Sequence, residues 1–157
     1  MCDESNGVVN LLIDLILSDD KEEKERLKEK IKQSVYVGTR TEERRFKDVV
    51  ETVLKNIGIP RSLTGYTYCT EAIVYLNSNP NATICREVYT HISDIHCVSA
   101  NSVERCIRSA ADVATNRCSD ELFYKIFGST AGKLTARPTN KAFLYNLLYY
   151  VKSITDM

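Results

Sequence analysis

Apolar residues recur at steps of three and four along most of this chain, the spacing that places them on one face of an α-helix. Residues 8–16 carry one such stripe. Residues 21–32 are rich in strong helix formers, and their apolar side is marked only by Leu27, Ile31 and Val35. The pattern predicts two N-terminal helices, the second capped by Ser18. They would form a helical hairpin or bent helix that packs on a partner, or a solvated helix.

The middle of the chain continues the helical pattern. An amphipathic helix is predicted over about residues 41–57, with Gly58 as its C-cap and Pro60 as its stop. A loop through Gly65 is expected next. Residues 69–76 fit a short helix, although their periodicity leaves a strand open.

The last part of the chain is also predicted to be helical. Residues 77–81 are a clear break, and helices resume from residue 83. A loop containing Gly128 and Gly132 precedes the final helix, which Thr139 is expected to cap. The fold class predicted is all-α, with about six helices after one or two N-terminal ones.

Charge divides the chain more sharply than its balanced total of 21 basic and 21 acidic residues suggests. Residues 1–45 carry 11 acidic and 9 basic side chains, whereas the remainder is an ordinary globular sequence. A length of 157 residues suits one domain with a short appendage. We therefore expect a charged helical appendage over residues 1–45, serving dimerisation or docking or simply packing as an extra helix, and a domain over residues 46–157.

The composition also bounds location and cofactors. The longest apolar stretch is interrupted by Asn10 and Asp14, falls short of the ~20 residues of a membrane span, and has no basic region before it. A cytoplasmic protein without a membrane partner is expected. The six cysteines include no C-x-x-C pair. The conceivable metal ligands are Cys85, His91, His96, Cys97 and Cys106, but no two of them have the spacing of a zinc knuckle. We expect no metal and no cofactor.

The most informative stretch is residues 88–113, which follow the spacing of a helix-turn-helix. Ile92 would anchor the first helix, the small Ser93 would allow close approach, and Val98 would plug the turn. Val103 and the pair 106–107 would face inward from the second helix. His96 and Cys97 stand where such motifs usually place a large apolar residue and a glycine.

The second helix of this motif would present a polar face. Ser99 is expected to cap it, and the outward residues are Asn101, Ser102, Glu104, Arg105, Arg108 and Asp112. Arginine, asparagine and glutamate match donor and acceptor groups on base edges in the major groove. From these residues alone, a solvated helix of a bundle is an equally good interpretation, and the missing basic excess argues against DNA.

A longer-range resemblance extends this prediction. Five segments occur in one order: 57–60, Gly-Tyr-Thr-Tyr at 65–68 with 71–73, Ser-Val-Glu-Arg at 102–105 with 107–108, 127–128, and Ala-Arg-Pro-Thr-Asn at 136–140 with Phe143. From about residue 48 onward the chain resembles the C-terminal DNA-binding (trans-activation) domain of the master response regulator of sporulation in endospore-forming bacteria.

The resemblance implies a sequence-specific regulator that binds double-stranded DNA at short repeated boxes, as a homodimer or tandem dimer, and acts with RNA polymerase. It places base reading on Glu104, Arg105 and Arg108, and a contact near the phosphate backbone on Arg137. The family has an arginine where Ser102 stands. Its receiver domain has no counterpart in residues 1–47, and Asp14, Asp19 and Asp20 are better interpreted as helix-face and capping carboxylates than as phosphoacceptors.

Two other classes of function compete with this one. An enzyme is not expected, because the chain lacks a nucleophile elbow, a Walker loop, a dinucleotide fingerprint and H-E-x-x-H. Tyr145, Tyr149 and Tyr150 could stack on bases, although packing is the simpler interpretation. The alternative is a protein-interaction module, or an antagonist, that keeps the fold without DNA affinity and pairs with a related regulator.

Overall fold

The computed structural model describes residues 3–18, 20–128 and 137–155, with side chains from residue 7 onward. Within these ranges the chain is helical, which confirms the all-α prediction. The α-helices are α1 (Asp3–Leu17), α2 (Lys21–Asn56), α3 (Thr64–Ser78), α4 (Tyr89–His96), α5 (Ala100–Arg117), α6 (Asp120–Phe127) and α7 (Asn140–Thr155), and one π-helical turn covers Ile84–Val88. None of the described helices is long and apolar enough to cross a membrane.

The chain divides into two compact units, Met1–Arg45 and Phe46–Met157. The boundary falls inside α2, which is one continuous helix rather than the two that the pattern predicts. Nothing between the two predicted helices stops the backbone, since a single glycine costs only ~1 kcal/mol in a helix. The hydroxyls of Thr39 and Thr41 donate to carbonyls four residues earlier, at 2.8 and 2.9 Å, and thus fit within the helix.

The start of α2 differs from the prediction in its capping residue. The Asp20 carboxylate, not the Ser18 hydroxyl, accepts from a first-turn amide, that of Glu22, at 3.1 Å. Ser18 instead donates to the Glu23 carboxylate at 3.0 Å. Asp19 lies outside the described residues.

The first unit leaves part of α1 uncovered. Val8, Leu11 and Leu15 are half-buried, and α1 and α2 line a common groove in which the start of α1 lies opposite residues 33–42. The two helices therefore fold back on each other. On another side of α1, large apolar side chains are exposed, and these are Val9, Leu12, Ile13, Ile16 and Leu17.

The second unit has a single apolar core to which every helix from the end of α2 to α7 contributes. Within it, helix α5 contacts α3, α4 and α7. Helices α3 and α5 approach each other closely at Gly65, because a Cβ there would lie 2.2 Å from the Cys106 carbonyl oxygen. The predicted loop through Gly65 is therefore wrong, because this residue lies in the first turn of α3. The helix predicted at residues 69–76 is confirmed as part of α3, and the alternative of a strand there is wrong.

The connections follow the predicted turn chemistry. Gly58 ends α2 with φ +87°, and the amides of Gly58 and Ile59 donate to the Lys55 and Leu54 carbonyls at 3.0 and 3.1 Å. This is the Schellman arrangement that glycine favours. The Thr139 hydroxyl caps α7 by accepting from the Ala142 amide at 3.2 Å, as predicted. Gly128 ends α6 with φ +79°, and Gly132 lies outside the described residues.

Glu87 secures the π-helical turn after the predicted break. Its carboxylate accepts from the Thr83 amide at 2.6 Å and from the Thr83 hydroxyl at 2.9 Å. These two hydrogen bonds hold the pKa of Glu87 below its ordinary value. The turn delivers the chain directly into α4.

Candidate nucleic-acid interface

Helices α4 and α5 are joined by a three-residue turn, as in a helix-turn-helix. The sharp change of direction takes place at Cys97, which adopts the left-handed conformation with φ +51° and ψ +43°. That conformation explains why glycine usually occupies this position. The Val98 amide donates back to the Ser93 carbonyl at 3.1 Å and closes the turn.

The inward side of the motif agrees with the sequence prediction at its main anchors. Ile92, Val103 and Ile107 are fully buried. The predicted role of Val98 is wrong, because 36% of this residue is exposed and it does not plug the turn.

His96 holds the turn instead. Its Nε2 atom lies 2.8 Å from a Glu71 carboxylate oxygen on α3, and its ring lies 4.9 Å from the ring of Tyr68. The imidazole thus occupies the place where an apolar side chain was expected. The hydrogen bond and the ring contact fasten the end of α4 to α3.

The start of α5 is capped as predicted. The Ser102 amide donates to the Ser99 hydroxyl oxygen at 3.2 Å. Ser99 is therefore the N-cap of α5, and this hydrogen bond holds its side chain at the N-terminal end of the helix.

The outward side of α5 carries the predicted polar residues on adjacent turns. Asn101, Arg105 and Arg108 are exposed, whereas Ser102 and Glu104 are half-buried. Arg108 donates to the Glu104 carboxylate at 2.6 Å across one turn. Among the described contacts the Arg105 guanidinium makes no ion pair, so it projects from α5 with its donors available.

Arg137 reaches the same helix from a distant part of the sequence. Its guanidinium donates to the Asp112 carboxylate on α5 at 3.0 Å, and its side chain remains largely exposed. The predicted backbone-contacting residue therefore lies beside the predicted base-reading helix. Two of the three arginines thus face a carboxylate of the same unit.

Asn140 is a positioning residue that the sequence prediction missed. Its amide donates to the Tyr89 hydroxyl at 3.1 Å and to the Glu104 backbone carbonyl at 3.0 Å. Burial raises the pKa of Tyr89, and the proximity of Glu104 acts in the same direction. The start of α7 is thereby tied to the middle of α5. The sequence signal for Asn140 is the Ala-Arg-Pro-Thr-Asn segment at 136–140, for which the prediction gives a role only to Arg137 and Thr139.

An open cleft of about 690 Å³ lies beside this junction. Arg108, Arg137 and Lys141 line it together with Glu104 and Asp112. Lys141 was not singled out in the sequence, and it adds a third cation to this side of α5. The cleft is therefore mixed in charge, with its cations and carboxylates interleaved.

The cysteines and histidines of the sequence occupy separate surroundings. Cys85 and Cys97 are exposed, and the His91 ring packs 4.3 Å from that of Tyr75. Within the described residues no three histidine, cysteine or acidic side chains are grouped as metal ligands would be. Tyr149 is exposed, and Tyr145 reaches the Ala82 carbonyl at 3.4 Å.

A comparison with known protein families agrees with the resemblance predicted from the sequence. The model of the family described as sporulation initiation factor Spo0A C terminal matches residues 50–151, about two-thirds of the chain. The match contains α3, α4, α5 and α6 entirely, together with most of α7. The chain therefore belongs to the Spo0A C-terminal family of sporulation initiation factors.

Proposed function

We propose that this protein is a sequence-specific transcription regulator that binds double-stranded DNA through residues 46–157 and reads the major groove with α5. The family is a DNA-binding effector domain of a sporulation regulator and not a family of enzymes. Beyond what the family shows, we propose that the DNA is double-stranded and that residues of α5 contact its bases.

The observation that carries the proposal is the exposed guanidinium of Arg105 on a capped second helix, with no ion pair to any residue that the structure describes. Such a helix can lie in the major groove with its N-terminal turns against base edges. An arginine there can donate two hydrogen bonds to guanine O6 and N7. Asn101 lies one turn earlier and Arg108 one turn later, so all three project from the same side.

The remaining predicted residues have roles consistent with their surroundings. Glu104 can accept from cytosine N4, and it also sets the direction of the Arg108 side chain. Ser102 and Ser99 lie at the end of α5 that would approach the bases first. Arg137 is proposed to contact a phosphate, because it stands beside α5 with an exposed guanidinium.

The test is a mobility-shift titration on a double-stranded oligonucleotide selected from a random pool. Arg105→Ala should weaken binding to that sequence by roughly 1–3 kcal/mol and relax the preference at one base pair. The matched control is Arg117→Ala, an exposed arginine on the same helix about 18 Å further along the axis. Equal affinities for the parent protein and the Arg105 variant would contradict the assignment of α5.

The protein is further proposed to act with RNA polymerase and to bind its boxes as a homodimer or tandem dimer. Family membership supports both ideas, since the family regulates transcription. Residues 1–45 are proposed as a separate dimerisation or docking element, since they form a compact unit of their own.

A second candidate function is a protein-interaction module that has lost DNA affinity and antagonises a related regulator. Two ion pairs favour it, because Glu104 and Asp112 neutralise Arg108 and Arg137. A salt series distinguishes the two functions. A regulator shows sequence-dependent binding that weakens steeply as salt rises, whereas an antagonist binds no selected DNA and changes the binding of another protein.

A further inference from the structure

We propose that Lys141, in the first turn of α7, is a further DNA-contacting residue, whose ammonium binds one backbone phosphate at the edge of the major groove that α5 enters. This inference rests on the proposed function and concerns a residue to which neither the sequence pattern nor the family resemblance gives a role. It assigns Lys141 to affinity and to salt dependence, and not to the choice of base sequence.

The charges that line the cleft beside α5 are unequal in number. Arg108 donates to the Glu104 carboxylate at 2.6 Å. Arg137 donates to the Asp112 carboxylate at 3.0 Å. Lys141 lines the same cleft, is exposed, and makes no ion pair with any residue that the structure describes. Within the described lining, its ammonium is therefore the positive charge without a carboxylate, and a phosphate that approaches it has no internal partner to displace.

The place of Lys141 beside α5 is fixed by its neighbours on α7. The Asn140 amide donates to the Glu104 backbone carbonyl on α5 at 3.0 Å and to the Tyr89 hydroxyl at 3.1 Å. Phe143 and Leu144, which follow within the next turn, are fully buried in the core. These contacts hold the start of α7 in both position and rotation, so Lys141 stays on the cleft side of the helix.

The dimensions of DNA indicate a phosphate, and not a base, as the partner of Lys141. The major groove is about 12 Å wide, so the phosphates that border it lie about 6 Å to either side of a helix at its centre. Helices α5 and α7 contact each other, and packed helices have axes about 8–10 Å apart. The start of α7 would therefore lie over the sugar–phosphate backbone. Lysine suits this partner, because its ammonium binds phosphate as a compact point charge on a flexible stem.

The experiment measures the affinity of the full chain, by fluorescence anisotropy in a salt series, for the oligonucleotide duplex selected for the parent protein and for a random duplex of equal length. Lys141→Gln should weaken binding to both duplexes by the same factor. One phosphate contact fewer lowers the slope of log K against log salt by about 0.9, so the deficit of this variant should shrink about three- to fourfold between about 50 and 200 mM salt. Lys141→Arg keeps the charge and should keep the slope of the parent protein.

Lys55→Gln is the matched control, because it removes the same charge from an exposed lysine of the second unit. Lys55 lies in the last turn of α2, just before Gly58, where an added Cβ would lie 2.6 Å from the Arg117 Cβ at the far end of α5. Its affinity and slope should stay close to those of the parent protein. Urea denaturation should give the same free energy of unfolding for all three variants.

A methylphosphonate scan of the selected duplex locates the contact. Replacing one phosphate at a time by an uncharged methylphosphonate should weaken binding of the parent protein at each contacted phosphate. At one of these positions Lys141→Gln should lose no further affinity, because the charge that Lys141 would meet is already gone. Lys55→Gln should show the full pattern of the parent protein.

The outcomes separate this inference from the proposed function. A selected duplex that requires Arg105, but binds Lys141→Gln with the affinity and slope of the parent protein, would overturn the inference and leave the proposed function standing. An effect of Lys141→Gln on the selected duplex alone would assign Lys141 to base reading and would also overturn it. A parent protein that binds no duplex would overturn both.

Discussion

Cys97 holds a backbone conformation that an L-residue with a Cβ adopts at a cost of roughly 1–2 kcal/mol. The surrounding motif maintains it, since α4 and α5 are anchored on both sides by buried aliphatic residues. The side chain itself is exposed, and its described hydrogen bond is a long contact of 3.9 Å from Sγ to the Asp94 carbonyl. The cysteine therefore adds little at this position to offset the strain.

Cys97→Gly should accordingly stabilise the protein by roughly 0.5–1 kcal/mol. Glycine relieves the left-handed strain but loses more backbone entropy on folding, so the net gain is smaller than the strain itself. Urea denaturation followed by circular dichroism measures the change. Cys97→Ala is the control and should bring no gain, because it keeps the Cβ. A less stable glycine variant would refute this account of the turn.

At the scale of single residues, sequence reasoning located the turn and the cap but not the contacts across the chain. Ser99 and Thr139 were predictable because an N-cap depends on local hydrogen bonds. The partner of His96 is Glu71, 25 residues earlier, and periodicity carries no information about such a pair. The expected plug Val98 was wrong for the same reason, since the imidazole packs against α3 instead.

Among the helices, the position of α5 is set by its close contact with α3. At Gly65 a side-chain carbon would lie 2.2 Å from the Cys106 carbonyl oxygen and 2.9 Å from the Ala110 Cβ. A backbone oxygen cannot rotate away as a flexible side chain can. The two helices must therefore separate if position 65 carries anything larger than hydrogen.

Gly65→Ala should destabilise the second unit by about 1–3 kcal/mol or more, because overpacking moves backbone. The measurement is the free energy of unfolding from urea titration. Gly38→Ala is the matched control in α2, where no heavy atom lies within 4 Å of the added carbon. That variant should gain about 0.5–1 kcal/mol from helix propensity. Equal stabilities of the two variants would contradict the close contact.

The sequence pattern was enough to predict that these segments form helices, but not where each helix begins and ends. The apolar period fixed the faces of α5 and α7, whose predicted inward residues are buried, except Cys106, which is half-buried. The long α2 was divided in the prediction because residues 33–40 lack a clear apolar stripe. Gly65 was placed in a loop because glycine usually marks turns, whereas here it permits contact between helices.

Over the whole molecule, a formal net charge of zero means that attraction to DNA depends on how charges are arranged. The α5 side of the second unit gathers Arg105, Arg108, Arg137 and Lys141, but Glu104 and Asp112 stand among them. Each of these two carboxylates would repel a DNA phosphate, and each also holds an arginine side chain in place. The arrangement favours selectivity over tight non-specific binding.

Asp112→Asn should strengthen binding to unrelated DNA, because it frees Arg137 and removes a carboxylate near the backbone. The slope of log K against log salt should steepen by about one. Fluorescence anisotropy on random duplex DNA in a salt series measures it. Asp48→Asn, which changes net charge equally at an exposed site on α2, is the control. Identical slopes for both variants would exclude a specific role for Asp112.

The predicted residues come together on one side of the second unit, although their role in DNA binding stays a prediction. The resemblance supplied Arg137, which no local pattern would have assigned to α5. Asn140 and Lys141 were missed, because their significance depends on where the start of α7 lies in space. Sequence reasoning thus identified the helix and its arginines, and the structure adds the carboxylates that hold two of them.

The Asn140 amide has a mechanical consequence. One N–H of this amide donates to the Tyr89 hydroxyl and the other to a backbone carbonyl of α5. The two hydrogen bonds join the C-terminal helix to the helix that is proposed to enter the major groove. A protein that grips α7 cannot tilt it at this end without breaking both bonds or dragging α5 along. If α5 lies in the major groove as proposed, a force applied to α7 would therefore also act on the DNA-bound helix.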